Sequence, residues 1–295
     1  MHQKVMGMSD VCLIPCYSRP EFLWHCLRNI EKADGVEDIQ FLFRPDRGYN
    51  PEILDVITSF KLDHRTLQTP EDTKAKRIPQ LMKQSWSVLT GMGMAATIAE
   101  NGLVFYIEED VMVAPDFFTW CREAVKGRFC SIASEDTNTA ANKRPKDNGE
   151  PSYDSHGTYR GIGVCFSADT LRTFVQPHCQ ANYFLHPWTY LKNNFPQDPL
   201  RSSYCEQDGL IRRIQRSQTS PIAYPFEPKC YHAGYYGYNR RNPNQAKGSV
   251  AQRIEEVAKV IYSHEEMKRV NHRTPAFYED SKPIPCLTSD PTPQQ

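Results

Sequence analysis

The sequence predicts an α/β fold with a mostly parallel central sheet flanked by helices. Three observations carry this reading. Short apolar runs alternate with amphipathic helical patterns over the first third of the chain, the order that builds a parallel sheet from strand–helix–strand units. The runs at 11–15, 39–43 and 103–107 are too short for helices and too apolar for loops. The last of them runs directly into three consecutive carboxylates, Glu108, Glu109 and Asp110.

The elements follow in order. Residues 11–15 read as a buried strand. Ser18 and Glu21 have the spacing of a capping box, and Pro20 suits a helix's first turn. Phe22, Leu23, Cys26, Leu27 and Ile30 then recur at helical spacing. Residues 39–43 form a second strand, 51–60 a second helix, and Leu67 marks a short third strand. A long helix spans 78–99, weakened at Gly91 and Gly93. The strand 103–107 comes next, then a helix opening at Pro115, a strand at 129–133, a polar loop at 135–157, and a strand at 161–166. Ser167 starts the helix that follows, and 221–228 is a Pro-rich strand. Ser249 and Gln252 form another capping box, ahead of an apolar stripe through Val250, Ile254, Val257 and Ile261. The Pro-rich tail, 282–295, reads as a disordered extension or a surface strap.

Composition narrows the class. At 295 residues the chain suits one large domain. Lys+Arg and Asp+Glu both total 35, so global charge points to neither nucleic acid nor membrane, although a local basic groove stays compatible. No apolar run is long enough to cross a bilayer, and the start lacks the apolar core of a signal peptide. These features predict a cytoplasmic protein. Ten cysteines include no C-x-x-C pair, which favours reduced, buried side chains over zinc ligation.

A buried strand that ends in a carboxylate cluster needs a cation, because unpaired charge is costly to desolvate. A divalent metal holding a phosphorylated substrate is the usual answer, since Mg²⁺ and Mn²⁺ favour carboxylate and phosphate oxygens. Ligands of parallel sheets bind beyond the carboxyl ends of the strands, where Glu108–Asp110 lie.

Three segments in chain order carry a resemblance. Ile14-Pro-Cys-Tyr-Ser-Arg-Pro-Glu-Phe-Leu23 is similar to the "P-x-Y-x-R-P-x-L" opening of many GT-A-fold nucleotide-sugar glycosyltransferases. Phe43-Arg-Pro-Asp46-Arg-Gly48 stands where such enzymes place a uracil-contacting aspartate. Glu108-Glu-Asp-Val-Met-Val-Ala-Pro-Asp-Phe-Phe118 resembles the "E-D-D-x-x-x-A-P-D-F-F" segment of the N-acetylglucosaminyltransferase I type, with Glu109 in place of the middle aspartate. The resemblance covers about 10–240. It implies a Rossmann-like GT-A domain over 1–281, with a nucleotide-sugar-binding half at about 10–130 and an acceptor-side half with a lid at about 131–281.

It also implies roles. Asp110 would hold the metal, Glu109 would lie near the ribose or donor sugar, and Glu108 would be structural or nearby. Asp46 would read the base, while Pro15, Tyr17 and Arg19 would wall the nucleotide pocket. Arg77 and Lys83 would approach the phosphates. An inverting transferase needs a carboxylate to take the acceptor hydroxyl's proton, and the acidic segment Glu206–Asp208 supplies one: Asp208 first, Glu206 close behind. His232 would reach the metal or the diphosphate, among tyrosines (231, 235, 236, 238) that read as an aromatic lid. His186 and Trp188 would line an acceptor pocket or belong to the core.

Plain structural alternatives accompany these roles: solvated acids after a strand, an acidic helix first turn favoured by the dipole, and a hydrogen-bonded structural histidine. A retaining mechanism would not require the base. The donor is expected to be a UDP-linked sugar with Mn²⁺ or Mg²⁺. The acceptor is a glycan or polysaccharide precursor, or alternatively a hydroxymethylated base in viral DNA. Basic clusters at 74–77, 143–146, 212–216 and 240–241 keep that DNA reading open. A nucleotidyltransferase would open with a Gly-rich phosphate loop, which 15–21 lacks. A non-catalytic sugar-binding protein would not need acids at 110 and 208.

Overall fold

The computed structural model describes residues 10–46, 49–67, 78–134, 152–155, 159–198, 205–233 and 248–261. Its strands are β1 (Asp10–Cys16), β2 (Ile39–Pro45), β3 (His64–Thr66), β4 (Leu103–Tyr106), β5 (Val111–Val113), β6 (Cys130–Ile132), β7 (Ser152–Ser155), β8 (Val164–Ser167), β9 (Ile222–Pro225) and β10 (Cys230–His232). Eight form one sheet in the order β3-β2-β1-β4-β8-β6-β9-β7, and β10 pairs with β5 in a separate ribbon. Among the eight, only β8 and β7 run against the rest. The structure is therefore mixed α/β with a mostly parallel central sheet.

The helices are α1 (Pro20–Ile30), α2 (Glu52–Thr58), α3 (Gln80–Ile98), α4 (Phe117–Ala124), α5 (Ala168–Thr170, continuing through a wider turn to Val175), α6 (Ala181–Leu185), α7 (Pro187–Asn194), α8 (Gln207–Gln218) and α9 (Val250–Ile261). They cover both faces of the sheet, and the strand sequences show why. In β1, Cys12, Ile14 and Cys16 enter one core with α1, α2, α4 and α9, while Val11 and Leu13 enter a second core with α3 and α8. Phe41 and Phe43 of β2 face the first core and Leu42 the second. Likewise Phe105 faces the first and Val104 and Tyr106 the second. Successive side chains of a strand point to opposite faces, so a strand buried on both sides reads as a continuous apolar run. Each such side chain stabilises the fold by about 1.5–3 kcal/mol on full burial.

The glycines of α3 do not interrupt it. A Cβ at Gly91 would stand 3.0 Å from Arg44 Cδ and 3.1 Å from Leu13 Cδ2, so the helix lies close against the sheet there. Arg44 is fully buried beneath it and donates to Thr90 Oγ1 at 2.8 Å and Ser87 Oγ at 3.2 Å. Burial lowers its pKa against the opposing charge of Asp46.

Several local expectations shift. The Ser18–Glu21 box does not form: Arg19 occupies the N-cap and no side chain caps α1, while Glu21 turns to Arg253 instead. The Ser249–Gln252 box does form, with Gln252 Oε1 accepting from the Ser249 N–H at 2.9 Å. Ser167 caps α5 by accepting from the Thr170 N–H at 3.0 Å. The expected helix at Pro115 begins at Phe117. The nine described cysteines are free, and all but Cys179 are buried. No described helix is long and apolar enough to cross a membrane. The expected loop 135–157 contains the strand β7 at 152–155, which pairs with β9; the rest of that loop, the tail 282–295, Arg77 and Tyr235, Tyr236 and Tyr238 lie outside the described residues.

Candidate functional site

The chain leaves β1 to build β2 and β3 on one side, then returns to place β4 on the other. A crevice at the carboxyl ends of β1 and β4 follows from that reversal. The Ile107 N–H still pairs with the Leu13 carbonyl at 3.1 Å, and then Val111 N–H closes a tight turn on the Glu108 carbonyl at 3.0 Å. That turn sends β5 out of the sheet to meet β10, with His232 opposite Val111. The Ala233 N–H donates to the Asp110 carbonyl at 2.7 Å. The ribbon therefore holds the backbone of Asp110 beside His232.

Their side chains meet as well. His232 Nε2 is 3.1 Å from Asp110 Oδ2 and 3.6 Å from Glu108 Oε2. Arg19, at the start of α1, places Nε 2.9 Å from Glu109 Oε1 and donates through Nη1 to Asp110 Oδ2. Glu109 Oε2 accepts the Tyr17 N–H at 2.7 Å. Glu109 and Asp110 are both buried, while Glu108, Arg19 and His232 are half-buried around them. Burial raises the Asp110 pKa, but the charges of His232 and Arg19 outweigh it and bring it down to about 2. Burial lowers the His232 pKa, but Asp110 and Glu108 outweigh it and raise it to about 10. For Glu109, burial prevails over Arg19 and the pKa rises.

The cluster fits a divalent cation on two counts. Glu108, Asp110 and His232 each offer a ligand atom, all within 4.8 Å of one another. Asp110 Oδ1 is buried with no hydrogen-bond partner, and an orphaned carboxylate oxygen at such depth is costly unless something cationic meets it.

Asp208, in the first turn of α8, lies within electrostatic reach of Glu108. Its Oδ2 accepts the Gly161 N–H at 3.4 Å. A Cβ on Gly161 would stand 2.8 Å from Asp208 Oδ1, so glycine is what lets the carboxylate approach. Burial and then the charge of Glu108 push the Asp208 pKa up to about 7. Glu206 is the N-cap of the same helix and makes no side-chain cap.

The residues expected to wall a nucleotide pocket gather at the ends of β1 and β2. The Asp46 N–H donates to the Cys16 carbonyl and the Asn50 N–H to the Tyr17 carbonyl, both at 2.8 Å. Asp46 and Pro15 are half-buried, while Tyr17 is exposed. Lys83 is exposed on α3.

No protein-family model and no curated protein matches this chain. Solved structures do resemble it. The galactosyltransferase LgtC with donor and acceptor sugar analogues matches at 10% identity over 83% of this chain and 82% of that one, with a TM-score of 0.47. Staphylococcus aureus TarS 1–349 with UDP-GlcNAc matches at 13% identity over 90% and 68%, with a TM-score of 0.46. A mannosyltransferase from Pyrobaculum calidifontis, in complex with GDP-Man and Mn²⁺, matches at 12% identity over 54% and 44%, with a TM-score of 0.39.

Sequence reasoning missed several participants. Tyr106, buried in the sheet, donates its hydroxyl to Glu108 Oε1 at 2.8 Å. The two-residue period of a strand could have shown it, because Tyr106 and Glu108 share one face. Gln207 and Ser85 pin the start of α8 to α3 through two hydrogen bonds, of 2.8 and 3.0 Å. Tyr159 is buried with an unpartnered hydroxyl; burial, then the charge of Asp208, raises its pKa. Tyr231 is a core residue rather than part of a lid, its hydroxyl donating to the Ile261 carbonyl at 3.3 Å. Within the 212–216 cluster Arg213 is buried and donates to the Gly209 carbonyl, Arg212 is half-buried, and Arg216 is exposed beside Asp198. The other three basic clusters lie outside the described residues. Trp188 and His186 are both exposed, so neither is a core residue.

Proposed function

We propose that this chain is a metal-dependent glycosyltransferase of the GT-A type. It would move a sugar from a nucleotide-diphosphate donor, UDP-linked, to a hydroxyl acceptor with inversion. The single observation that carries the reading is the convergence at one strand-end crevice of a three-ligand cation cluster and a second carboxylate, Asp208, tuned close to neutrality. Glu108, Asp110 and His232 would hold the cation, and the two-oxygen, one-nitrogen set suits Mn²⁺ better than Mg²⁺. When bound, the cation would neutralise the diphosphate leaving group. Arg19 fixes Glu109 and Asp110, and Glu109 holds the Tyr17 backbone, so the loop that would wall the nucleotide is tied to the ligand set. Asp46 would accept from the base.

Asp208 would take the acceptor hydroxyl's proton as that oxygen bonds to the anomeric carbon and the bond to the diphosphate breaks. A base with a pKa near the working pH combines ionisation with proton affinity; Glu206, at the N-cap, is the second choice. The acceptor we favour is a glycan or polysaccharide precursor met in the cytoplasm, consistent with balanced charge and a buried Arg213. The test is a screen of UDP-, GDP- and TDP-sugars with and without Mn²⁺, reading hydrolysis and thermal shift. Cation-dependent turnover of a UDP-sugar is the expected result. No response to any of them would remove the reading.

A further inference from the structure

The last described helix, α9, has no place in the proposed chemistry, yet its contacts converge on the proposed nucleotide side. α9 lies on α1, where the neutral His25 ring donates Nε2–H to the Ile254 carbonyl at 2.9 Å and burial holds its pKa down at about 4. Arg253 projects from α9 between two loops remote in sequence. Its Nε is 3.4 Å from Glu21 Oε2, its Nη2 pairs with Glu52, and its Nη1 donates to the Gly248 carbonyl at 2.8 Å. The Arg253 side chain is only 13% exposed, so these pairs escape much of the solvent screening that weakens surface ion pairs.

Each carboxylate leads to a different wall of the same pocket. Glu21 lies in the first turn of α1, two residues beyond Arg19. Glu52 opens α2 and is locked to Asn50, whose Nδ2 donates to Glu52 Oε2 at 3.0 Å while Asn50 Oδ1 accepts the Glu52 N–H at 3.1 Å. Asn50 in turn donates its N–H to the Tyr17 carbonyl, and Tyr49 donates its N–H to the Asp46 carbonyl at 3.0 Å. The planar guanidinium presents its donors in a rigid fork, so one side chain sets the spacing between the loop after β1 and the loop after β2.

We infer that Arg253 is a positioning residue for nucleotide binding, holding Tyr17–Arg19 at a fixed separation from Asp46, Tyr49 and Asn50. The inference rests on the donor-site reading above. The test compares wild type, Arg253→Ala, Arg253→Lys and Glu52→Gln by UDP titration calorimetry with Mn²⁺, by donor-hydrolysis kinetics and by melting temperature. Arg253→Ala should weaken UDP binding and raise donor KM by roughly tenfold, the scale on which supporting partners affect a site, with kcat within about twofold. Arg253→Lys, which keeps the charge without the fork, should fall between Ala and wild type. If Arg253→Ala does not fold, Glu52→Gln cuts the same link and is read in its place. A lowered melting temperature with unchanged UDP affinity and KM would make Arg253 a structural staple and overturn the inference. Wild type that binds no UDP would instead overturn the donor-site reading itself, so the two failures are separable.

Discussion

Replacing Asp110 with Asn puts the acid cluster under direct test. The carboxylate is fully buried against Arg19 and His232. Its pKa falls from 3.8 to about 2, which at 1.36 kcal/mol per unit amounts to about 2 kcal/mol of folding stability. A lowered folded-state pKa contributes stability that is present above the unfolded value of 3.8 and is lost as pH falls through about 2. Asp110→Asn removes that contribution at neutral pH and leaves Arg19 and His232 short of a counter-charge, the situation in which broken buried pairs are most costly. A loss of about 2 kcal/mol lowers Tm by roughly 4–8 °C in a domain of a few hundred residues. The assay is differential scanning fluorimetry at neutral and acid pH, with and without Mn²⁺. Wild type should gain Tm with Mn²⁺, by the equivalent of about 2.7 kcal/mol at one hundred times Kd. The variant should melt lower at pH 7, should converge on wild type towards the acid limit of folding, and should not respond to Mn²⁺. An unchanged Tm at pH 7, or an undiminished Mn²⁺ response, would refute the reasoning.

Two further outcomes follow from the geometry. Asp208 must be ionised to act as base, so donor transfer should decline as pH falls through about 7, somewhat lower once a cation offsets the charge of Glu108. Asp208→Asn should remove that limb and reduce kcat by about 10²–10⁴, while Glu206→Gln keeps both; a pH profile unchanged in Asp208→Asn would exclude it as base. Gly91→Ala would set a methyl group 3.0 Å from Arg44 Cδ and 3.1 Å from Leu13 Cδ2; because both neighbours are buried and Arg44 is hydrogen-bonded in place, crowding should outweigh the ~1 kcal/mol that alanine gains inside a helix, and an unchanged or raised midpoint in urea denaturation would count against the close helix–sheet contact.

The first half of the sheet was readable because its strands obey strong local rules. The runs at 11–15, 39–43 and 103–107 are apolar on both faces and are separated by helices long enough to show their stripe. Further along, the rules thin out. β5 and β10 are three residues each, too short to carry a period, and the reversal of β8 depends on what it packs against. The capping spacing at Ser18 misled because Glu21 found a better partner in Arg253, which no local pattern could announce. The acid triplet stood out by its chemistry, and the candidate roles of Asp46, Asp208 and His232 came from resemblance. Spacing alone could not say that Tyr106 grips Glu108, or that both oxygens of Glu109 would be engaged by Arg19 and the Tyr17 backbone.

The β5–β10 ribbon has a consequence for synthesis. Asp110 leaves the ribosome roughly 120 residues ahead of His232, an interval of about 6–24 s at ordinary elongation rates. Throughout that interval the nascent chain carries its acid triplet with Arg19 as the nearest cation and β5 with a bare edge. The strand that closes both gaps arrives in one piece, because the residue that brings the imidazole belongs to the strand that pairs β5.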